Sequence, residues 1–205
     1  MSDPASMPRV GLLKWALWGA ALIGVAVVVY IMAQASFKPA PAAGDLKSLA
    51  KGEMAKLTTP DTPPAPPTIS FFDPAGKTVG IGDFKGRIVV LNMWATWCAP
   101  CVAEMPTLAR LQAAYPGKVE VVAVSVDTES SESKARAFIG KHSPLKFYSD
   151  PEMKLPFDVK PAAPGMPTTI LYGRDGIERA RLSGDADWSG QDARAVVEAL
   201  LAEKG

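Results

Sequence analysis

Cys98 and Cys101 are the only cysteines in the chain, separated by Ala99 and Pro100. A disulfide framework would need more thiols, more widely spread. A structural zinc site takes about four ligands, and the only histidine is His142. The pair must be explained by itself, and dithiol–disulfide exchange does so most simply. Half of a zinc site, or two thiols buried by chance, are the alternatives. The residues around the pair weigh against both. An apolar, β-rich run at 87–93 ends just before Trp97-Cys98. After it, Cys101, Met105, Leu108 and Gln112/Tyr115 recur at helical spacing, predicting a helix over 98–115. A strand feeding a helix here puts Cys98 at the helix N-terminus, where free amides and the macrodipole favour a thiolate over the ordinary thiol pKa of ~8.5. Cys101 follows one turn later and deeper. Cys98 can then attack a partner disulfide and Cys101 resolve the mixed disulfide. Pro100 suits the first turn, where its missing N–H is no loss. It also withholds a donor from the thiolate, which favours the reducing side of the dithiol range.

The elements around the motif read as one α/β unit. Residues 68–72 and 77–81 predict a hairpin about Asp73-Pro74-Ala75-Gly76. Residues 119–126 predict a second buried strand and 130–141 a helix. A further strand is expected at 145–148 and a helical turn near 152–157. A second hairpin, 168–172 and 177–182, turns at Arg174-Asp175-Gly176. A closing helix over 191–203 turns Ala195, Val196, Ala199 and Leu200 inward, with Ser189 as its cap. Pro106 should kink the motif helix by removing the bond to the carbonyl of residue 102. Strands alternating with helices, then a terminal hairpin, imply a mixed sheet covered on both faces.

The N-terminal third is organised differently. Residues 15–33 carry no charge and, as a helix, would reach roughly 28 Å, close to the hydrocarbon thickness of a bilayer. Trp15, Trp18 and Tyr30 lie near its ends, and Arg9 and Lys14 precede it. This reads as a single transmembrane anchor with residues 1–14 cytoplasmic and the remainder across the membrane. The competing reading is a cleaved signal peptide, for which Ala33-Gln34-Ala35 is a fitting site; the run is longer than the usual apolar core of one. Residues 34–63, rich in Pro, Ala and Lys, read as a tether to a domain at 64–205. Within it Leu46, Leu49, Ala50 and Leu57 recur at helical spacing, either as a short amphipathic helix on the domain or membrane surface or as a partly helical spacer.

Composition sets bounds. Apolar residues make up 48% and charged residues 21%, a balance that supports a packed core. A net charge of +1 without a Lys/Arg stripe gives nucleic-acid binding no support.

The run Asn92-Met93-Trp94-Ala95-Thr96-Trp97-Cys98-Ala99-Pro100-Cys101, with Glu104-Met105-Pro106 after it, resembles the thioredoxin superfamily, and within it the TlpA-like membrane-anchored thiol:disulfide oxidoreductases. Gly165-Met166-Pro167-Thr168-Thr169 and Ala186-Asp187-Trp188 extend the resemblance over roughly 64–204. It implies a thioredoxin-like fold: a mixed central sheet with helices on both faces, an N-terminal β-hairpin and a central helix–strand insertion at 130–148, preceded by one transmembrane helix. It also implies that Cys98 is the nucleophile and Cys101 the resolving thiol of a redox-active disulfide, with no cofactor and no metal. Pro167 would be a cis-proline facing them, and Met166, Pro167 and Thr168 the segment that binds a client strand. Trp97 would flank the exposed thiol as a contact surface; the alternative is a packing aromatic.

Two positions depart from thioredoxin itself. Asn92 stands where thioredoxin has a buried aspartate six residues before its first cysteine, and an amide cannot relay a proton. Glu104, three residues after Cys101, resembles a carboxylate that TlpA-like proteins keep; it reads either as the proton relay for Cys101 or as a solvated helix glutamate. A peroxiredoxin would carry Thr or Ser where Ala95 stands, and a Sco-type copper chaperone needs a histidine ligand, whereas His142 reads as an ordinary surface residue. The resemblance implies exported clients, apocytochrome c or copper-site proteins of respiratory oxidases, and a membrane electron donor of the DsbD or CcdA type that keeps the pair reduced. It favours a reductant over an oxidant in the periplasm. A non-catalytic chaperone or docking module is the alternative from another class.

Overall fold

The computed structural model describes residues 46–62 and 64–203. The cytoplasmic segment 1–14, the anchor 15–33 and the start of the tether lie outside the described residues. Among the described residues no helix is long and apolar enough to cross a membrane.

A seven-stranded mixed sheet runs in the order β2-β1-β5-β4-β3-β6-β7. Its centre is β3 (Ile88–Trp94), parallel to β4 (Val119–Ser125) on one side and antiparallel to β6 (Thr168–Tyr172) on the other. Beyond β4 lies the two-residue β5 (Tyr148–Ser149), parallel to it, then the hairpin of β1 (Phe71–Phe72) and β2 (Thr78–Val79). On the far edge β7 (Glu178–Ser183) runs antiparallel to β6. Every residue of β3 is buried, and its alternation serves two cores. Ile88, Val90 and Trp94 join one; Val89, Leu91 and Met93 join the other. Asn92 shares the face of Val90 and Trp94 and is the one polar residue of the strand.

The first core lies under the helices. It takes Cys101, Met105, Leu108 and Leu111 from α2 (Ala99–Ala114), Ala135 and Ile139 from α3 (Glu132–Ile139), and Val196, Val197 and Leu200 from α5 (Gln191–Ala202). The second core is closed by a 3-10 turn at Ile81–Phe84, by the four-residue α4 (Leu155–Asp158), and by packing of Phe71, Phe84 and Tyr148. The helical cover of the two faces is thus unequal. α2 runs on through Pro106 as one helix.

Three local expectations need correcting. The domain begins before residue 64. The short helix α1 (Leu46–Leu49) and a 3-10 turn at Gly52–Lys56 put Leu46, Met54 and Leu57 into the first core, each at most 2% exposed. Full burial of such side chains stabilises by roughly 1.5–3 kcal/mol apiece, more than a polar spacer could gain in water. Gly52 follows from this docking: at φ 55° it passes so close to α5 that a Cβ would lie 2.7 Å from Asp192 Oδ2. The arm then pairs with the sheet edge, Thr58 and Arg181 exchanging both backbone hydrogen bonds at 2.8 Å. Second, Gly190 and not Ser189 caps α5; Asp187 Oδ1 draws the Ser189 hydroxyl into a turn at 2.6 Å. Third, Ala195 is only half-buried, and Ala193 and Val197 face the core in its place.

Candidate active site

The site forms at the carboxyl end of β3, where the strand stops and α2 begins. Cys98 is the N-cap of α2, at φ −92° and ψ 96°, with its carbonyl accepting the Val102 amide at 3.0 Å. Ala99 and Pro100 form the exposed first turn. The N-cap position puts the Cys98 sulfur beside the helix's unpaired amides, the field that favours a thiolate. Cys98 and Cys101 are joined in a disulfide with Cα atoms 5.3 Å apart. Their exposures differ: Cys98 is 7% exposed and Cys101 not at all. An incoming disulfide can meet the first sulfur and not the second. Trp97, at 61%, stands out beside Cys98 as an exposed apolar plate, so the packing alternative does not hold.

The loop that presents this pair is held from β4. Asp127, 2% exposed, accepts the Thr96 amide at 2.9 Å and the Thr96 hydroxyl at 2.7 Å, and Ser125 Oγ donates to it at 2.8 Å. Sequence reasoning missed Asp127. The available signal was an acidic residue just past the end of a buried strand parallel to the one that carries the motif.

Just before β6, the Met166–Pro167 peptide is cis. Met166 is half-buried and Pro167 buried, and the Pro167 carbonyl accepts the Gly184 amide at 2.8 Å. Thr168 is fully buried, and its hydroxyl donates to the Gly165 carbonyl at 2.7 Å. Its side chain therefore shapes the 165–168 turn.

Beneath the disulfide lies Glu104, 3% exposed, which removes the solvated-glutamate alternative. Three donors converge on it. Asn92 Nδ2 reaches Oε1 at 2.8 Å, while the Ala186 amide and Trp188 Nε1 reach Oε2 at 3.2 Å each. Burial dominates these contacts and lifts the Glu104 carboxyl from 4.5 to about 7; the hydrogen bonds from Asn92, Ala186 and Trp188 oppose the rise. A group titrating there can hold or release a proton near neutrality. Asn92 is thus the holder of the carboxylate, not a substitute for one; its amide also donates to Thr169 Oγ1 at 2.9 Å. The Ala186-Asp187-Trp188 motif gains a local reason, since two of its residues grip Glu104. His142 is half-buried, its Nδ1 2.9 Å from the Phe138 carbonyl and its ring against Phe138. Among the described residues no cluster of His, Cys, Asp and Glu could hold a metal.

Residues 61–200 match the Redoxin family. The chain belongs to the Redoxin family. It is 40% identical over 104 residues to the thiol-disulfide oxidoreductase ResA of Oceanobacillus iheyensis, covering 49% of this chain and 51% of that protein. It is 31% identical over 123 residues to ResA of Bacillus thuringiensis subsp. konkukian, covering 58% and 68%. The chain spans about half the length of the first curated relatives it matches. Among solved structures, a secreted thiol-disulfide isomerase from Corynebacterium glutamicum superposes with a TM-score of 0.57 at 26% identity, covering 72% of this chain and 93% of that one. The thioredoxin-like fold and the TlpA-like kinship expected from the sequence are thereby borne out.

Proposed function

We propose that this Redoxin-family chain is a thiol–disulfide oxidoreductase that reduces disulfides in exported client proteins. The observation that carries the reading is the asymmetry of the pair: Cys98 caps α2 beside exposed Trp97, and Cys101 is sealed above buried Glu104. In the reduced protein the Cys98 thiolate attacks a client disulfide, forming a mixed disulfide and releasing one client thiolate, which takes a proton. Glu104, one turn from Cys101 on the same helix, accepts the Cys101 proton. The Cys101 thiolate then attacks Cys98 Sγ, closing the intramolecular disulfide and releasing the second client thiolate. Two electrons pass from the pair to the client.

The same reading puts the domain in the periplasm on an anchor at 15–33, with a donor of the DsbD or CcdA type to re-reduce Cys98–Cys101. An oxidising compartment requires such a private electron supply. Proteins of cytochrome c or respiratory oxidase maturation, which must present reduced thiols to haem or copper, are the client class. Names of the ResA relatives support the chemistry, and the resemblance to TlpA-like proteins supports the setting. The deciding experiment is Cys101→Ser, expressed in cells and resolved on non-reducing gels. Mixed disulfides should accumulate through Cys98 and vanish in Cys98→Ser/Cys101→Ser. A Cys101→Ser protein that traps no client would overturn the reading in favour of a non-catalytic docking module.

A further inference from the structure

The loop 185–188 that grips Glu104 is itself gripped on its outer side by the N-terminal arm. Its successive amides each end on a side chain from another segment. Ala186 N–H goes to Glu104 Oε2 at 3.2 Å, Asp187 N–H to Glu53 Oε2 at 2.6 Å, and Trp188 N–H to Thr107 Oγ1 at 3.1 Å. The peptide whose N–H reaches Glu104 also has its carbonyl end touched by the arm, with Lys56 Nζ 3.5 Å from Asp185 O. Glu53 and Lys56 sit on either side of Met54, which is buried in the same core as Trp188 and Ala186. Met54 and Leu57 thus anchor the arm, and Glu53 supplies its directed contact with the loop.

We infer that Glu53 is a positioning residue for Glu104: by accepting the Asp187 amide it clamps the 185–188 loop, and with it the donors Ala186 N–H and Trp188 Nε1–H, onto the buried carboxylate. A free peptide between two anchored residues can swing about its flanking dihedrals, and a swing at Asp187 would loosen both donors from the carboxylate. The arm is then a working part of the site, although it touches no reacting atom. This inference rests on the proposed role of Glu104 in exchange.

The test is a carbon-13 titration of the Glu104 carboxyl in the oxidised full chain, where Cys98 and Cys101 do not titrate. The groups facing Glu104 are the Asn92 amide on β3, Thr107 on its own helix, and Asp185, Ala186 and Trp188 on the loop; the arm brings Glu53 and Lys56 to the loop's outer side. In Glu53→Ala, withdrawal of the Ala186 and Trp188 donors, which favour the carboxylate, should raise the Glu104 midpoint by about one pH unit. Amide exchange at Ala186 should quicken about tenfold with the loss of local protection. Glu53→Gln keeps an acceptor oxygen for Asp187 N–H and should restore both values. If Glu53→Ala does not fold, Glu53→Ser, too short to reach that amide, gives the same readouts. An unchanged midpoint with unchanged Ala186 exchange, in a variant whose melt is cooperative, overturns the clamp. A midpoint that moves while the pH profile of disulfide reduction stays in place supports the clamp and removes Glu104 from the exchange chemistry. The two failures are therefore distinguishable.

Discussion

At the scale of single residues, Glu104 makes the sharpest claim. Its carboxyl titrates at 4.5 when unfolded and at about 7 when folded. Between those values the native state holds more protons than the unfolded one, so stability falls as pH rises through that window and the loss is complete above it. At about 1.4 kcal/mol per pH unit the full cost is about 3 kcal/mol. Glu104→Gln should therefore match the wild type in urea unfolding at pH 4 and exceed it by about 2–3 kcal/mol at pH 8. The same substitution should slow disulfide reduction about 100-fold at neutral pH, the usual worth of a positioned acid–base group. Asn92 can accommodate the change, since its Oδ1 has no hydrogen-bond partner among the described residues and can turn to accept from a glutamine amide. Pro100 makes a second claim. Pro100→Ala returns an N–H to the exposed first turn, where it can donate to the Cys98 thiolate and stabilise the reduced form. One such charge-assisted bond, about 1–2 kcal/mol, raises the midpoint potential by about 20–40 mV, measurable by equilibration with glutathione.

At the scale of elements, the arm is where packing overrode sequence pattern. Leu57→Ala should cost about 2–3 kcal/mol in denaturant unfolding, because it empties a site only 2% exposed in the first core. A tether in solvent would lose nothing from that change. The elements that position the cysteines were legible because each has a strong local signature: six apolar residues out of seven for β3, helical spacing and an early proline for α2, turns bearing Asp and Gly for the hairpins. The arm was legible only in part: Leu46, Leu49, Ala50 and Leu57 recur at helical spacing, but its proline-rich flanks and lysines also read as spacer, and only the burial of Leu46, Met54 and Leu57 in the first core decides between the two. The site divides in the same way. Cys98, Cys101, Trp97 and Pro167 announce themselves by motif. The supports of the site, Asp127 under Thr96 and Asn92 and Trp188 around Glu104, are long-range contacts of 12 to 84 residues that no local pattern encodes.

At the scale of the whole molecule, the apolar stretch at 15–33 is expected to hold the full chain in the membrane fraction after a high-salt wash, while a chain beginning at residue 46 is expected in the soluble fraction. A chain beginning at 64 should instead be poorly folded, since it lacks three core side chains. The union of Thr58 with Arg181 bears on how such a protein can deal with its proposed clients. Extended polypeptides with unsatisfied backbone add readily to any open sheet margin, and that is how aggregates seed. Here the arm occupies part of the β7 margin, and the opposite margin, β2, offers only two residues. A client strand has little rail to climb at either end of the sheet. On the proposed mechanism its hold on the protein is then concentrated at one sulfur bond and the few backbone groups beside Met166, so that when Cys101 cuts the bond, little remains to delay departure.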